Sequence, residues 1–313
     1  MADQPTFPGS TYNGQAAGKY ISAALLSAPT IENGGVTVLE NVKFKEVLQT
    51  LDTNALLTDA TCDFDDTRTV TMGESVLEVK DMQVNLQLCR SQFHNSWSAA
   101  EMGASAFADI PKSFEDYLLG YVASKVAASN ETLLWTGVAG ANAYDGITTI
   151  LNAAGLPAAQ DIAKVAIDAA NVIDQMGAVV DAIPTTVYGA EDLKLYVSSN
   201  VARAYVRALG GFAAAGLGAN GSDNKGTQWY TNGALSFDGV EIFMSNGLPS
   251  SYMVAAQSSN LMYACGVFND KNEVKVIDLA NIDGSQNVRM VMRFTACVNY
   301  GISSEVVLYT PAA

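Results

Sequence analysis

Histidine is almost missing from this chain of 313 residues: the only one is His94, in "SQFHNSW". Cysteine is scarce too. Cys62, Cys89, Cys265 and Cys297 lie far apart, with no C-x-x-C spacing. Those two shortages exclude a zinc-type ligand set, which needs sulfur and imidazole donors at close, regular intervals. The four cysteines are expected to be buried thiols rather than disulfides. A lone histidine without a nucleophile signature is a poor general base, so His94 is read as making ordinary polar contacts. Positive charge is also in short supply, with Lys and Arg together 17 against 32 Asp and Glu, a net charge of −15. A protein that neutralises nucleic-acid phosphates shows the opposite, clustered Lys and Arg. The acidic balance instead suits a surface that stays in solution and does not adhere to polyanions. Apolar runs break well before the roughly 18 residues a membrane span requires. The opening "MADQPTFPGSTYNG" has no basic region followed by an apolar core, so no secretory signal is expected.

What is present is patterning. Residues 1–60 read as an extended arm, with turn-rich "FPGSTYNGQAAG" and "SAPTIENGGV" and a short helix expected in "NVKFKEVLQTL", where Val42, Val47, Leu48 and Leu51 share a face. From residue 68 the period becomes two: Met82, Val84, Leu86 and Leu88 alternate with polar residues as a half-buried strand. The preceding "TRTVTMGES" is its expected hairpin partner, turning near "VLEVKD". A long helix is expected over "IPKSFEDYLLGYVASKVAASNETLLWTG", with Ser113 as N-cap and Gly137 as the stop. A second helix is expected along Ile162, Val165, Ala169, Val172, Ile173, Met176 and Val180, and a third over residues 191–209. "AIPTTVYGA", between them, reads as a short buried strand. The C-terminal part reads as β structure, with Met290, Met292, Phe294, Ala296 and Val298 on one face. The class is therefore α+β.

The candidate chemistry thins out on inspection. "GLGANG", residues 216–221, spells a dinucleotide fingerprint, but a helix precedes it and polar "SDNKG" follows, the reverse of strand-then-helix. It is read as a surface loop. The acid pairs Asp65–Asp66 and Glu115–Asp116 suit turns and helix starts. Methionines such as Met244, Met253 and Met262 lie in strand patterns as packing residues. No enzyme signature survives, and no cofactor is expected.

The order of elements carries a resemblance. A loose arm, a long hairpin, a long helix ending in "ETLLWTGVAGANAYDG", a mixed insert with "GLP" at residues 247–249, and a closing "EVKVIDLANIDGSQNVRMVMRF" ribbon resemble the major capsid protein of tailed bacteriophages, the Hong Kong 97-type fold. The resemblance implies an N-arm over residues 1–60 and an extended loop over 61–105. It implies a peripheral domain with a spine helix over 106–147 and 266–300, and an axial domain over 148–265 and 301–313. Gly137, Gly140 and Gly146 would be the hinge from the spine helix into the axial domain, and Leu133, Leu134 and Trp135 would anchor the helix end against the peripheral sheet. Some relatives join subunits by a Lys–Asn isopeptide bond, for which Lys80 and Asn281 are the candidates here, although a lysine on a ribbon is ordinarily a solvated edge residue.

The implied function is a shell subunit of an icosahedral phage head, not an enzyme. It would assemble with itself into homo-pentamers and homo-hexamers in the host cytoplasm and reside in the virion. Its implied partners are a scaffolding protein, a portal and a decoration protein, with packaged double-stranded DNA touched non-specifically and no membrane. A fused scaffolding domain is not expected ahead of the arm. Two other readings stand beside it: an encapsulin-type nanocompartment shell, and an α+β enzyme or binding protein using Trp97, Trp135 or the Gly-rich loops.

Overall fold

The computed structural model describes residues 29–53, 62, 69–89, 112–140, 143–209, 235–266, 275–279 and 287–311. His94, Asn281, Trp97 and the "GLGANG" loop lie outside these residues.

One sheet is built around the longest strand, β12 (Asn287–Tyr300). Along one edge of β12 runs β4 (Lys80–Cys89), antiparallel from Asn287↔Cys89 to Ala296↔Lys80. The other edge is shared, with β11 (Lys275–Asp278) near its start and β10 (Leu261–Cys265) near its end. The parallel strand β1 (Thr37–Leu39) lies outside β10. The expected alternation holds: Met290, Met292, Phe294, Ala296 and Val298 are all buried. Across this face lies α2 (Lys112–Thr136), at 25 residues roughly 37 Å long. Ser113 sits inside its first turn rather than at the cap.

The second sheet has six strands in the order β5 (Asp161–Lys164), β13 (Val307–Pro311), β9 (Met253–Gln257), β6 (Leu193–Ser198), β8 (Val240–Ser245), β7 (Ser236–Phe237). Both of its faces are covered. Tyr196, Val254 and Ala256 join the core beneath α2 and the first sheet. Their alternates Leu195, Val197, Met253 and Ala255 face a second core with α4 (Val172–Asp181) and α5 (Ser199–Leu209). A shorter helix, α3 (Ile147–Ala154), follows the end of α2, and a one-turn α1 (Pro29–Glu32) precedes β1.

Several expectations are corrected. "KEVLQTLDT" is a strand, β2 (Lys45–Thr53), not a helix; Val47 and Leu51 are four apart, a spacing that serves a strand face as well as a helix face. The ribbon is therefore β2 with β3 (Val70–Glu78), in register from Lys45↔Glu78 to Thr53↔Val70. β3 does not fold back on β4. With no turn residue between them, the chain passes through Val79 and keeps its heading, its upper half pairing β2 and its lower half β12. Ile162 lies in β5, and the helix begins only at Val172, because an Asp168 turn intervenes in which Asp168 Oδ1 accepts from the Ala170 and Asn171 amides. The first third of the expected third helix is β6, buried on both faces and so without alternation. "AIPTTVYGA" forms turns rather than a strand. Cys89, Cys265 and Cys297 are buried free thiols, but Cys62 is exposed.

Candidate functional site at the end of the long helix

The last two turns of α2 are where the two sheets, the N-terminal segment and the following loop meet. Leu134 and Trp135 are fully buried there, and Leu133 is partly buried. Leu133 borders an apolar cavity of about 510 Å³ between α2 and the first sheet, alongside Val84, Leu86, Val126 and Phe294. Trp135 faces the other way: its ring meets Tyr196 of β6 at 5.3 Å, and its indole N–H donates to Thr30 Oγ1 at 3.1 Å. The expectation that all three residues hold the helix against the first sheet is thus corrected for Trp135, which holds it to the second.

Polar groups at this joint are buried and partnered. Glu131 is only 3% exposed, and its carboxylate accepts three hydrogen bonds. Thr30 donates both its hydroxyl, at 2.5 Å, and its backbone N–H, at 3.2 Å. Ser245, at the end of β8, donates at 3.0 Å. The preceding residue, Asn130, accepts from Tyr144 at 2.8 Å and donates to Tyr263 of β10 at 3.2 Å. Burial pushes the Tyr144 phenol well above its ordinary range, which keeps it a neutral donor. Two adjacent helix residues therefore bind opposite surroundings, Asn130 the first sheet and Glu131 the arm root with the second sheet.

Gly137 and Gly146 are in backbone contact: the Gly146 amide donates to the Gly137 carbonyl at 2.8 Å. A Cβ on Gly137 would collide with the Tyr144 and Leu133 carbonyls, and one on Gly146 with the Gly137 amide and the helix end. Their glycine identity answers this close approach, since neither has a positive φ. Gly140 has no such neighbour. The loop is further pinned by Thr148 Oγ1 donating to the Trp135 carbonyl (2.6 Å), Thr149 Oγ1 donating to the Gly137 carbonyl (2.7 Å), and the Ala139 amide donating to Asp145 (2.7 Å). Lys80, at the start of β4, donates its ammonium to the carbonyls of Gly140 and Ala143. Its candidate partner Asn281 lies outside the described residues.

The second feature is the β2–β3 ribbon. On one face, the directly opposed pairs Val47/Val76 and Leu51/Met72 stand exposed on either side of the polar pair Gln49/Glu74, with Val70 beyond them opposite Thr53. A Lys45–Glu78 ion pair of 2.7 Å closes the base of that face. The opposite face is covered only at its base, where Leu77 and Leu48 join Val42, Ala264 and Cys297. Asn299 Nδ2 ties that base to β12 by donating to Ser75 Oγ and the Val76 carbonyl, both at 3.0 Å. Among the described residues no group of three His, Cys, Asp or Glu side chains is placed to hold a metal.

Of these residues, sequence reasoning picked out the glycines, Leu133, Leu134, Trp135 and Lys80, and quoted Glu131 without a role. It missed Thr30, Ser245 and Tyr263, which come from distant segments and follow no periodic pattern, and Asn130, which sits beside Glu131 in the helix. The one available signal was a carboxylate just ahead of the apolar Leu133, Leu134 and Trp135 at the helix end.

Neither a protein-family model nor a curated protein matches the sequence. Solved structures do. The capsid of a native GTA particle aligns over 100% of this chain and 96% of its own, at 15% identity and a TM-score of 0.59. Mycobacterium phage Adephagia aligns over 93% and 90%, at 15% identity and a TM-score of 0.57. The satellite phage P4 procapsid, which includes a size determination protein, aligns over 94% and 97%, at 10% identity and a TM-score of 0.55. With near-complete coverage in both directions, the long helix, the ribbon and the two sheets of this chain are the Hong Kong 97-type α+β fold of phage capsids.

Proposed function

We propose that this chain is a major capsid protein that assembles with itself into the pentamers and hexamers of an icosahedral phage head around double-stranded DNA. The observation that carries the reading is the exposed apolar face of the β2–β3 ribbon. A two-stranded ribbon is marginal alone in water, and five exposed large apolar side chains gathered on one face, broken only by Gln49/Glu74, mark an interaction site. Another copy of the chain supplies the missing cover. Val47, Leu51, Val70, Met72 and Val76 are 42–69% exposed. Covering them contributes roughly 5–8 kcal/mol per ribbon before association entropy is subtracted.

In this reading the extended loop is the β2–β3 ribbon rather than residues 61–105, and the N-arm is the chain ahead of β2 rather than all of residues 1–60. The first sheet with α2 forms the peripheral domain, and the six-stranded sheet forms the axial domain. Gly137 and Gly146 make the joint between them a clamped turn rather than a loose hinge. The mechanism is assembly, with no catalytic step. The net charge of −15 suits a wall that touches packaged DNA without binding it tightly. A scaffolding protein, a portal and a decoration protein are the partners this role calls for, and host cytoplasm is where assembly would take place. Negative-stain microscopy of the purified chain, alone and with a co-expressed scaffold, tests the proposal. Closed particles with a DNA-filled form and one unique vertex are expected. A monomer under both conditions refutes it, and empty-vertexed particles filled with a cargo enzyme would favour a nanocompartment shell.

A further inference from the structure

We propose that Glu131 is a latch for the root of the N-terminal segment, holding residues 29–35 in the seam between α2 and the second sheet so that they attach and detach as a unit. The inference rests on the joint's geometry alone and stands whether or not the chain builds a shell.

The root is fastened mainly by polar contacts. Glu131 takes the hydroxyl and the amide of Thr30, and the Trp135 indole donates to the same hydroxyl. From β6, Lys194 donates to the Gly34 carbonyl at 3.1 Å and Tyr196 to the Gly35 carbonyl. Apolar fastening comes from Ile31 within it and Val36 just beyond it. Such a root differs from a permanently packed strand. Lifting it removes two of the three donors of Glu131 but opens that carboxylate to water, so no stripped charge is left in an apolar interior. Neither core depends on the root for its main area: the second core contains none of its residues. Attachment is specific because the donors are spaced for a carboxylate. Glutamine has the same shape but is neutral: its oxygen can still accept the Thr30 amide, while its NH2 group meets the Thr30 and Ser245 hydroxyls, which must turn from donors to acceptors, so the charge-assisted bonds are lost.

Hydrogen exchange on the full-length chain, assembled or not, reads the latch directly. In Glu131→Gln the Thr30 amide, which donates to the carboxylate, is expected to exchange roughly tenfold faster or more, while the amides of β6 and β9 stay as in the parent. Thr30→Val, which removes the hydroxyl, is expected to do the same, and Thr30→Ser, which restores it, to protect the root again. If Glu131→Gln does not fold, the two Thr30 variants decide the question without touching the helix. Unchanged exchange at the root, an equal rise throughout β6 and β9, or Thr30→Ser behaving as Thr30→Val would each overturn the proposal.

Discussion

Replacing Leu51 and Met72 together with glutamine changes the apolar centre of the ribbon without altering its strand pairing. In the isolated subunit Leu51 is 67% exposed and Met72 69% exposed. Their substitution should move the folding stability by no more than about 0.5 kcal/mol each, as at other surface positions. In an assembly that covers this face the same change removes a large apolar contribution. Full burial of a Leu or Met side chain is worth about 1.5–3 kcal/mol, so covering the exposed two-thirds is worth about 1–2 kcal/mol each. The pair then contributes about 3 kcal/mol per subunit, equivalent to roughly a hundredfold change in association constant. A shell multiplies that loss over every subunit. The assays are paired. Thermal melting of the dissociated subunit should give the same Tm for parent and variant within a few degrees. Sedimentation of the same samples should show the variant remaining as subunits at concentrations where the parent forms particles. Particle formation at the parent's threshold concentration would refute the argument, as would a subunit melt lowered enough to explain the failure by misfolding.

Gly146→Ala should destabilise the subunit by about 2–3 kcal/mol in urea titrations, because its Cβ meets backbone that has nowhere to move; Gly140→Ala, whose Cβ would make only an ordinary contact with the Val138 carbonyl, should stay within about 0.5 kcal/mol. Burial raises the Cys265 thiol to about 11 and Cys297 to about 12, so a thiol reagent at pH 8 should label exposed Cys62 in the native chain and the other two only after unfolding. The same burial, with that of Tyr144, Tyr196 and Tyr263, sets an alkaline limit. The unfolded thiols and phenols ionise first, from about pH 8.5 and 10, so the unfolded state binds fewer protons and the Tm should fall as pH rises from about 9 towards 12. A Tm that holds steady over that window would count against the buried assignment. Because the Lys80 ammonium already serves two loop carbonyls, denaturing gels of assembled particles should show monomer bands; a ladder abolished by Lys80→Arg would reverse that expectation.

What the sequence disclosed follows from which forces are local. The α2 helix and its stop at Gly137 were legible because helix periodicity and the glycine stop are written in neighbouring residues. The β12 alternation was legible because one face packs and the other does not. Legibility failed where a strand is buried on both sides, as in β6, where Leu195, Tyr196 and Val197 are consecutive buried residues and leave no alternating period. It failed again at the ribbon. β3 and β4 adjoin in sequence and both show alternation, which suggested a hairpin; the missing information was the absence of a turn between them. The joint was half legible. Its glycines and tryptophan are unusual residues in one short stretch, whereas Thr30 and Ser245 become neighbours of Glu131 only after folding brings together positions 101 and 114 residues away.

That joint also explains how the parts act as one body. β3 and β4 share a heading, so the ribbon is a continuation of the strand paired to β12 along its length. At the first residue of β4, Lys80 grips the loop that leaves α2, and that loop is clamped by backbone contact between Gly137 and Gly146. The helix end then reaches the second sheet through Trp135 and Glu131. In the proposed assembly, a load applied to the ribbon would therefore pass through hydrogen-bonded backbone and buried side chains into both cores, with no flexible linker in the described path. Cores of this density deform little and transmit strain. If the ribbon holds a neighbouring copy, as proposed, the subunit needs that stiffness more than it needs a pocket, and the residues at the end of α2 are arranged to provide it.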